Sequence, residues 1–236
     1  MIEKKAITTT ETLMIQGIPT IVSFKRSPRA KRISLKIDLR HGVVITLPLR
    51  AARRAGLALL KAHEGWVHEK LAALPQALPL MAGAHVPFHG VPHEIIHQPQ
   101  GRGGAWVDKG ALHVSGALEF LPRRVMDYLK REAKQTLAHK ALQTAKEAGL
   151  TPKIVRIKDT RSRWGSCAPD GTLAFCWRLI CAPDFVQDYV VAHEVAHLRH
   201  MNHSAQFWAL TEQLTPHRRA ATAWLVSEGP GLLRIG

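Results

Sequence analysis

The chain has 236 residues, 46% of them hydrophobic, with 33 Lys and Arg against 18 Asp and Glu, a net charge of +15 and a pI of about 10.3. This length and apolar content exclude a disordered chain or one that needs staples to fold; the opening MIEKKAITTTET lacks the apolar core of a secretory signal, and no run of about 18 apolar residues predicts a membrane span. The basic balance favours anionic partners and says nothing about fold.

The first fifty residues read as β-rich. Thr20–Phe24 alternates weakly and Arg32–Leu39 strictly. Val43–Leu47 follows the turn signal Arg40-His41-Gly42 and ends at Pro48. From Ala51 to Leu74 the period becomes helical, through Leu57, Leu60, Trp66, Val67 and Leu71, and Pro75 closes the helix. Residues 75–120 are rich in Pro and Gly and predict short strands, among them Trp106-Val107 and Leu112–Val114 about the turn Asp108-Lys109-Gly110. Pro122 opens a long helix running to about Gly149, with Val125, Leu129, Leu137, Ala141, Leu142 and Ala145 as its apolar stripe. Lys153–Lys158 is an expected strand. The segment Arg161–Cys167, a turn at Pro169-Asp170-Gly171 and a returning strand Thr172–Leu179 come next. Pro183 and Asp184 start a helix, and further helices span about Ser204–Leu214 and Arg218–Leu225. The class is α+β: a β-rich region with one helix over residues 1–120, then a helical region with a small sheet over 121–236.

Three cysteines, Cys167, Cys176 and Cys181, with no C-x-x-C pair, predict free thiols and a reducing, cytoplasmic setting.

The chemistry concentrates in one stretch. His193-Glu194-Val195-Ala196-His197 is an H-E-x-x-H motif on an expected helix. Residues four apart share a helical face, so both imidazoles reach one ion. His203 follows ten residues after His193 and supplies a third ligand. Asn202 is expected to end the helix in the left-handed region, and Ser204 to cap the next one. Three protein ligands and an open position suit a catalytic Zn2+ ion, with Glu194 placed to take a proton from the water it activates.

Arg163-Trp164-Gly165-Ser166-Cys167, Trp177-Arg178-Leu179-Ile180 and the run from His193 to Ser204, ending at Phe207-Trp208, resemble the YgjP-like metallopeptidase family, a relative of the SprT and WLM zinc proteases. Lys31–Leu35 and Gly65-Trp66-Val67 fit its N-terminal part. The resemblance implies a zincin-like domain, zinc held by His193, His197 and His203, Glu194 as the catalytic residue, and a protein or peptide substrate. Cys176 departs from the Asn that the family often carries before the Trp. The ligand spacing also equals the metzincin pattern, but His200 stands where that pattern has Gly, so the chain is not placed there.

Arg163, Trp164, Trp177 and Arg178 are the candidate substrate contacts, and Arg163, Arg178 and His217 the candidate oxyanion stabilisers. The strand from Thr172 to Trp177, if it is a sheet edge, is expected to receive an extended peptide. Trp164, Trp177 and Trp208 read first as core packing around the motif helix. His85, His89, His93 and His97 recur every fourth residue, but Pro87, Gly90 and Pro92 exclude a helical metal ladder. Basic clusters at Lys25, Arg26, Arg29, Lys31 and Arg32, at Arg50, Arg53 and Arg54, and at Lys130, Arg131 and Lys134 read as solvated surface. Their sharper reading is nucleic-acid contact, which gives the alternative of a nucleic-acid-associated protein with a zinc site, such as a DNA-associated protease of the SprT type. The oligomeric state is not legible.

Overall fold

The computed structural model describes residues 8–38 and 42–236. The expected turn residues Arg40 and His41 lie outside them. The fold is α+β, and the chain divides into two compact units, residues 1–75 and 76–236. The sequence reading put a division at 120; the sheet over residues 85–115 instead packs with the second unit, because its inward Val86, Ile95, Leu112 and Val114 join the same core as the helix that follows. Among the described residues no helix is long and apolar enough to cross a membrane.

The first unit has four strands, β1 (Thr8–Ile15), β2 (Ile18–Ser27), β3 (Ser34–Asp38) and β4 (Gly42–Pro48), in the order β1-β2-β4-β3. β2 and β4 run parallel, and the other pairs antiparallel. β1 and β2 are joined by Gln16-Gly17, with φ of 48° and 80°, the two left-handed residues of a type I′ turn. Helices α1 (Arg53–Ala62) and α2 (Glu64–Ala72) add Leu60 and Val67 to a core of Ile15, Val22, Phe24, Val43, Ile45 and Leu47. α1 approaches closely because Gly56 has no β-carbon; one there would lie 3.0 Å from Ile45 and 3.1 Å from Leu47. The single helix expected from Ala51 to Leu74 is broken at His63, whose ψ of 21° leaves the helical region. The Glu64 carboxylate, starting α2, accepts from the N–H of Gln16 at 2.9 Å and ties it to the β1–β2 turn.

The second unit opens with β5 (His85–Phe88), β6 (Val91–Gln98), β7 (Ala105–Asp108) and β8 (Ala111–Ser115), in the order β5-β6-β8-β7. The 27-residue α3 (Leu121–Glu147) follows, burying Val125, Leu129, Ala133, Leu137, Ala141 and Ala145 at four-residue steps. Leu142, expected in that stripe, is 54% exposed, one position round the helix from Ala141. Gly149, at φ 64°, closes α3, with the N–H of Leu150 on the carbonyl of Ala145 in a Schellman arrangement.

A three-stranded sheet then forms from β9 (Ile154–Lys158), β10 (Gly165–Cys167) and β11 (Thr172–Cys176), in the order β10-β11-β9. β11 pairs parallel with β9 and antiparallel with β10. It is therefore central, which corrects the expectation that it is a receiving edge. It also stops at Cys176, and Trp177–Cys181 turn into a 3-10 helix. The remaining helices are α4 (Asp184–Ala196), α5 (Ala205–Leu214), α6 (Arg218–Ser227) and the short α7 (Gly229–Leu232). α4 starts after Pro183 with Asp184 in its first turn, and Lys140 of α3 reaches Asp188 at 2.5 Å. The core of this unit lies where α3 and α4 meet the two sheets.

Candidate metal centre

α4 buries Val186, Val190, Val191 and Val195 in the core. That anchoring fixes the rotation of the helix, and His193 and His197, one turn apart, come out on its other side, half-buried. The helix ends with His197 as its C-cap, still right-handed. The expected left-handed Asn202 is not found: only Gln16, His89 and Lys109 among described non-glycine residues have positive φ. The turn to α5 is instead held by the N–H of His200 on the carbonyl of Ala196 at 3.0 Å. Ser204 caps α5 as expected, its hydroxyl accepting from the N–H of Phe207 at 3.4 Å.

This turn carries His203 back over α4. The Nε2 atoms of His203 and His193 stand 3.2 Å apart, and the ligand atoms of His193, His197 and His203 lie within 4.8 Å of one another. Two nitrogens bound to one tetrahedral ion at about 2.0–2.1 Å sit roughly 3.3 Å apart, so the first pair already has the spacing of ligands. Nδ1 of His197 lies 2.9 Å from the carbonyl of His200. Donating there, it leaves the Nε2 lone pair for a metal. His193 has no such anchor, its Nδ1 being buried without a partner. Its ring is placed by packing, with Phe207 at 4.9 Å, Tyr189 at 5.9 Å and Trp208 at 5.8 Å between centroids. Phe207 touches all three imidazoles, at 4.9, 4.4 and 4.8 Å, as a shared floor. Burial, then the neighbouring His197 and His203, lowers the pKa of His193 to about 4. Burial also lowers that of His197. Neutral imidazole is the form a metal binds, so the donor set fits the ion.

Glu194 is 6% exposed, and its carboxylate lies against the backbone of β10. A β-carbon at Gly165 would stand 2.5 Å from its Cγ and Oε1. Burial raises the Glu194 pKa to about 7, with Arg163 pulling the other way. The arrangement places a buried carboxylate beside three imidazoles that could hold a metal ion.

A model of the YgjP-like metallopeptidase domain matches residues 31–228. The chain is a member of the YgjP-like metallopeptidase family. No curated protein and no solved structure matches it. A YgjP-like chain of this kind is a metal-dependent peptidase with a peptide substrate, and among the described residues the three histidines are the one cluster able to hold a metal.

The other expected site residues of this YgjP-like domain part company. Arg163 is exposed and acts electrostatically on Glu194. Trp164 is half-buried against Gly229, 3.2 Å from where a β-carbon there would lie, and its carbonyl accepts from the N–H of Cys176. Trp177 and Arg178 are each 1% exposed. Arg178 donates to Asp159 at 2.5 Å and to the carbonyl of Ile235 at 2.9 Å, and stacks on Trp177 at 4.3 Å. Both are in the core, held by the 3-10 turn, rather than on a surface a substrate can reach. His217 precedes α6, with Phe185 6.0 Å from its ring. Trp208, expected as core, is half-buried and stacks on His203 at 5.5 Å beneath the guanidinium of Arg218 at 3.7 Å. His89, His93 and His97 bond separately, to Asp184, the Val91 carbonyl and the Gly116 carbonyl. The cysteines are free, and burial followed by Glu194 pushes Cys167 up to about 11, so its thiol stays protonated.

Sequence reasoning gave no role to Phe207 and Tyr189, nor to Gly165; Phe207 and Gly165 entered only with the motifs that carry the resemblance. The first two had a signal: Tyr189 is four residues before His193, one turn earlier on α4, and Phe207 is four residues after His203, in the first turn of α5. Gly165 had none, because its neighbour is distant in sequence.

Proposed function

We propose that this chain is a zinc-dependent peptidase in which His193, His197 and His203 hold the ion and Glu194 moves the proton. The observation that carries this is the convergence of three imidazoles beside a buried carboxylate that lies against a sheet edge. An all-nitrogen set of three favours zinc over the oxygen-seeking magnesium and calcium. A structural zinc prefers four protein ligands, and the described cluster has three.

When bound, the ion lowers the pKa of water and polarises a carbonyl oxygen. Glu194 accepts the proton of the attacking water and delivers it to the leaving amine. Its pKa, raised to about 7 by burial in the metal-free chain, suits both directions of transfer near neutrality, and a cation in the triad draws it back down. β10, with β11 on one side only, is the edge that receives an extended peptide by main-chain hydrogen bonds. Gly165 brings that edge directly beside Glu194. Exposed Arg163, electrostatically linked to Glu194, is the substrate contact we retain of the four expected.

The test is metal content and casein cleavage of the purified chain and of Glu194→Gln. One zinc per chain in both, with cleavage reduced about 10²–10⁴-fold in Glu194→Gln, supports the reading. Equal cleavage by the two proteins removes Glu194 from the mechanism. Zinc in both with cleavage by neither, with or without DNA, removes the peptidase.

A further inference from the structure

The first unit holds a groove that the metal centre does not use. β3 is an outer strand of its sheet, and among the described residues no strand pairs with its far side. Beside it opens a groove of about 550 Å³ lined by Arg32, Ile33, Ser34, Leu35, Leu59, His63 and Trp66. Leu59 and Trp66 belong to no core cluster, and Trp66 is 41% exposed. Ile33 and Leu35 touch the core of the unit with one side and the groove with the other. An open apolar floor along a free strand edge is what an extended peptide completes: the backbone supplies hydrogen bonds and alternate side chains fill the floor.

Charge selects the peptide. Among the described residues no carboxylate lines the groove, while Arg32 does, and neither Arg32 nor its neighbour Lys31 has an ion pair. Residues 1–75 contain 14 Lys and Arg against five Asp and Glu. Of those five, Glu11 is tied to Arg53, Asp38 to Lys36 and Glu64 to the N–H of Gln16. A nucleic acid fits less well. Its bases need aromatic platforms in series, and here the floor is Ile33, Leu35 and Leu59 with one tryptophan.

We propose that this groove binds an extended peptide segment of a protein partner, which adds to β3 as a strand, turns alternate apolar side chains onto Leu59 and Trp66, and sets an acidic side chain against Arg32. β3 has five residues, so a partner strand of similar length covers it.

The test uses the full chain carrying Glu194→Gln, so no probe is cleaved and the outcome does not depend on peptidase activity. The probes are fluorescein-labelled octapeptides alternating Glu with Val, Leu or Phe, the same panel with Lys for Glu, and a single-stranded oligo(dT). The best Glu peptide is expected to bind about tenfold or more tighter than its Lys counterpart. Binding is expected to slow hydrogen exchange of the Ser34–Asp38 amides, since a paired edge amide is protected. Leu59→Asp is expected to weaken binding by about tenfold, the loss of one apolar anchor. Arg32→Glu, at an exposed position that leaves folding intact, is expected to reverse the preference between the panels. The proposal is overturned if no peptide binds up to millimolar concentration, if both panels bind alike, or if binding ignores both substitutions. Oligo(dT) binding that is lost in Leu59→Asp, without peptide binding, also overturns it and marks a nucleic-acid surface.

Discussion

Gly165→Ala is the smallest change that tests the coupling of β10 to Glu194. The added β-carbon would stand 2.5 Å from Cγ and Oε1 of Glu194 and 2.7 Å from Cδ. Carbon atoms in contact keep about 3.5–4.0 Å, so the overlap is roughly 1 Å and the carboxylate or the strand must move. A displacement of about 1 Å in a reacting group costs on the order of 10²-fold in rate, or about 2.7 kcal/mol on the barrier. The stability cost is of similar order, about 1–3 kcal/mol, if the backbone gives way and smaller if the carboxylate swings out. The three histidines are untouched, so metal binding survives. The assay is kcat/KM on a fluorogenic peptide, with zinc per chain and Tm measured on the same preparations. The expected outcome is full zinc, a small change in Tm and roughly 10²-fold slower cleavage. In the Glu194→Gln background the same substitution is expected to add little, because the group it displaces is already disabled. Full zinc with kcat/KM within about threefold of the parent would refute the reasoning, since an overlap this large cannot leave a proton-transferring carboxylate in place.

Other outcomes follow from packing and charge. Arg178→Met removes a buried guanidinium that serves Asp159 and the carbonyl of Ile235; it is expected to lower stability by about 2 kcal/mol, roughly 4–8 °C in Tm, and to leave KM unchanged. A raised KM at unchanged Tm would return Arg178 to the substrate surface. His193 in the folded, metal-free chain titrates at about 4, against 6.5 for a free histidine. The unfolded chain therefore binds its proton first, so this stability is full above about pH 6.5 and is lost as pH falls from there through about 4. Chelator-treated protein is expected to lose Tm across that window more steeply than His193→Gln; equal slopes would remove His193 as the cause. Gly65→Ala, where a β-carbon meets nothing closer than Gln16 at 3.8 Å, is expected to stabilise α2 by about 0.5–1 kcal/mol, read as a higher denaturation midpoint.

What was legible in the sequence was what is local. The long helix, its end at Gly149, the metal helix and the cap at Ser204 depend on side chains within a turn or two of one another, and each is in the structure. The histidine triad was legible for the same reason. The order of strands was not: β11 pairs in parallel with β9, skipping β10 in chain order, and only that pairing makes β11 central and β10 the edge. The burial of Trp177 and Arg178 follows from the 3-10 turn and from Asp159 and Ile235, none of which has a periodic signature. β1 was missed because Thr8–Ile15 starts as three threonines and its Gln16-Gly17 turn lacks the Asn or Asp that marks most hairpins. The division at 75 rather than 120 was hidden because residues 75–120 look like the first unit in composition and differ only in which core they join.

His193 and His203 are ten residues apart, so all three nitrogens come from one short stretch of chain. Bringing them together closes a very short loop, whose entropic cost is small even when nothing else is folded. If these three hold the ion as proposed, the denatured protein is expected to retain affinity for it. Metal bound to the unfolded form offsets part of the stabilisation that native-state binding alone would give. The same locality lets the segment from α4 to α5 gather its three nitrogens without waiting for the long-range pairing of β9 with β11.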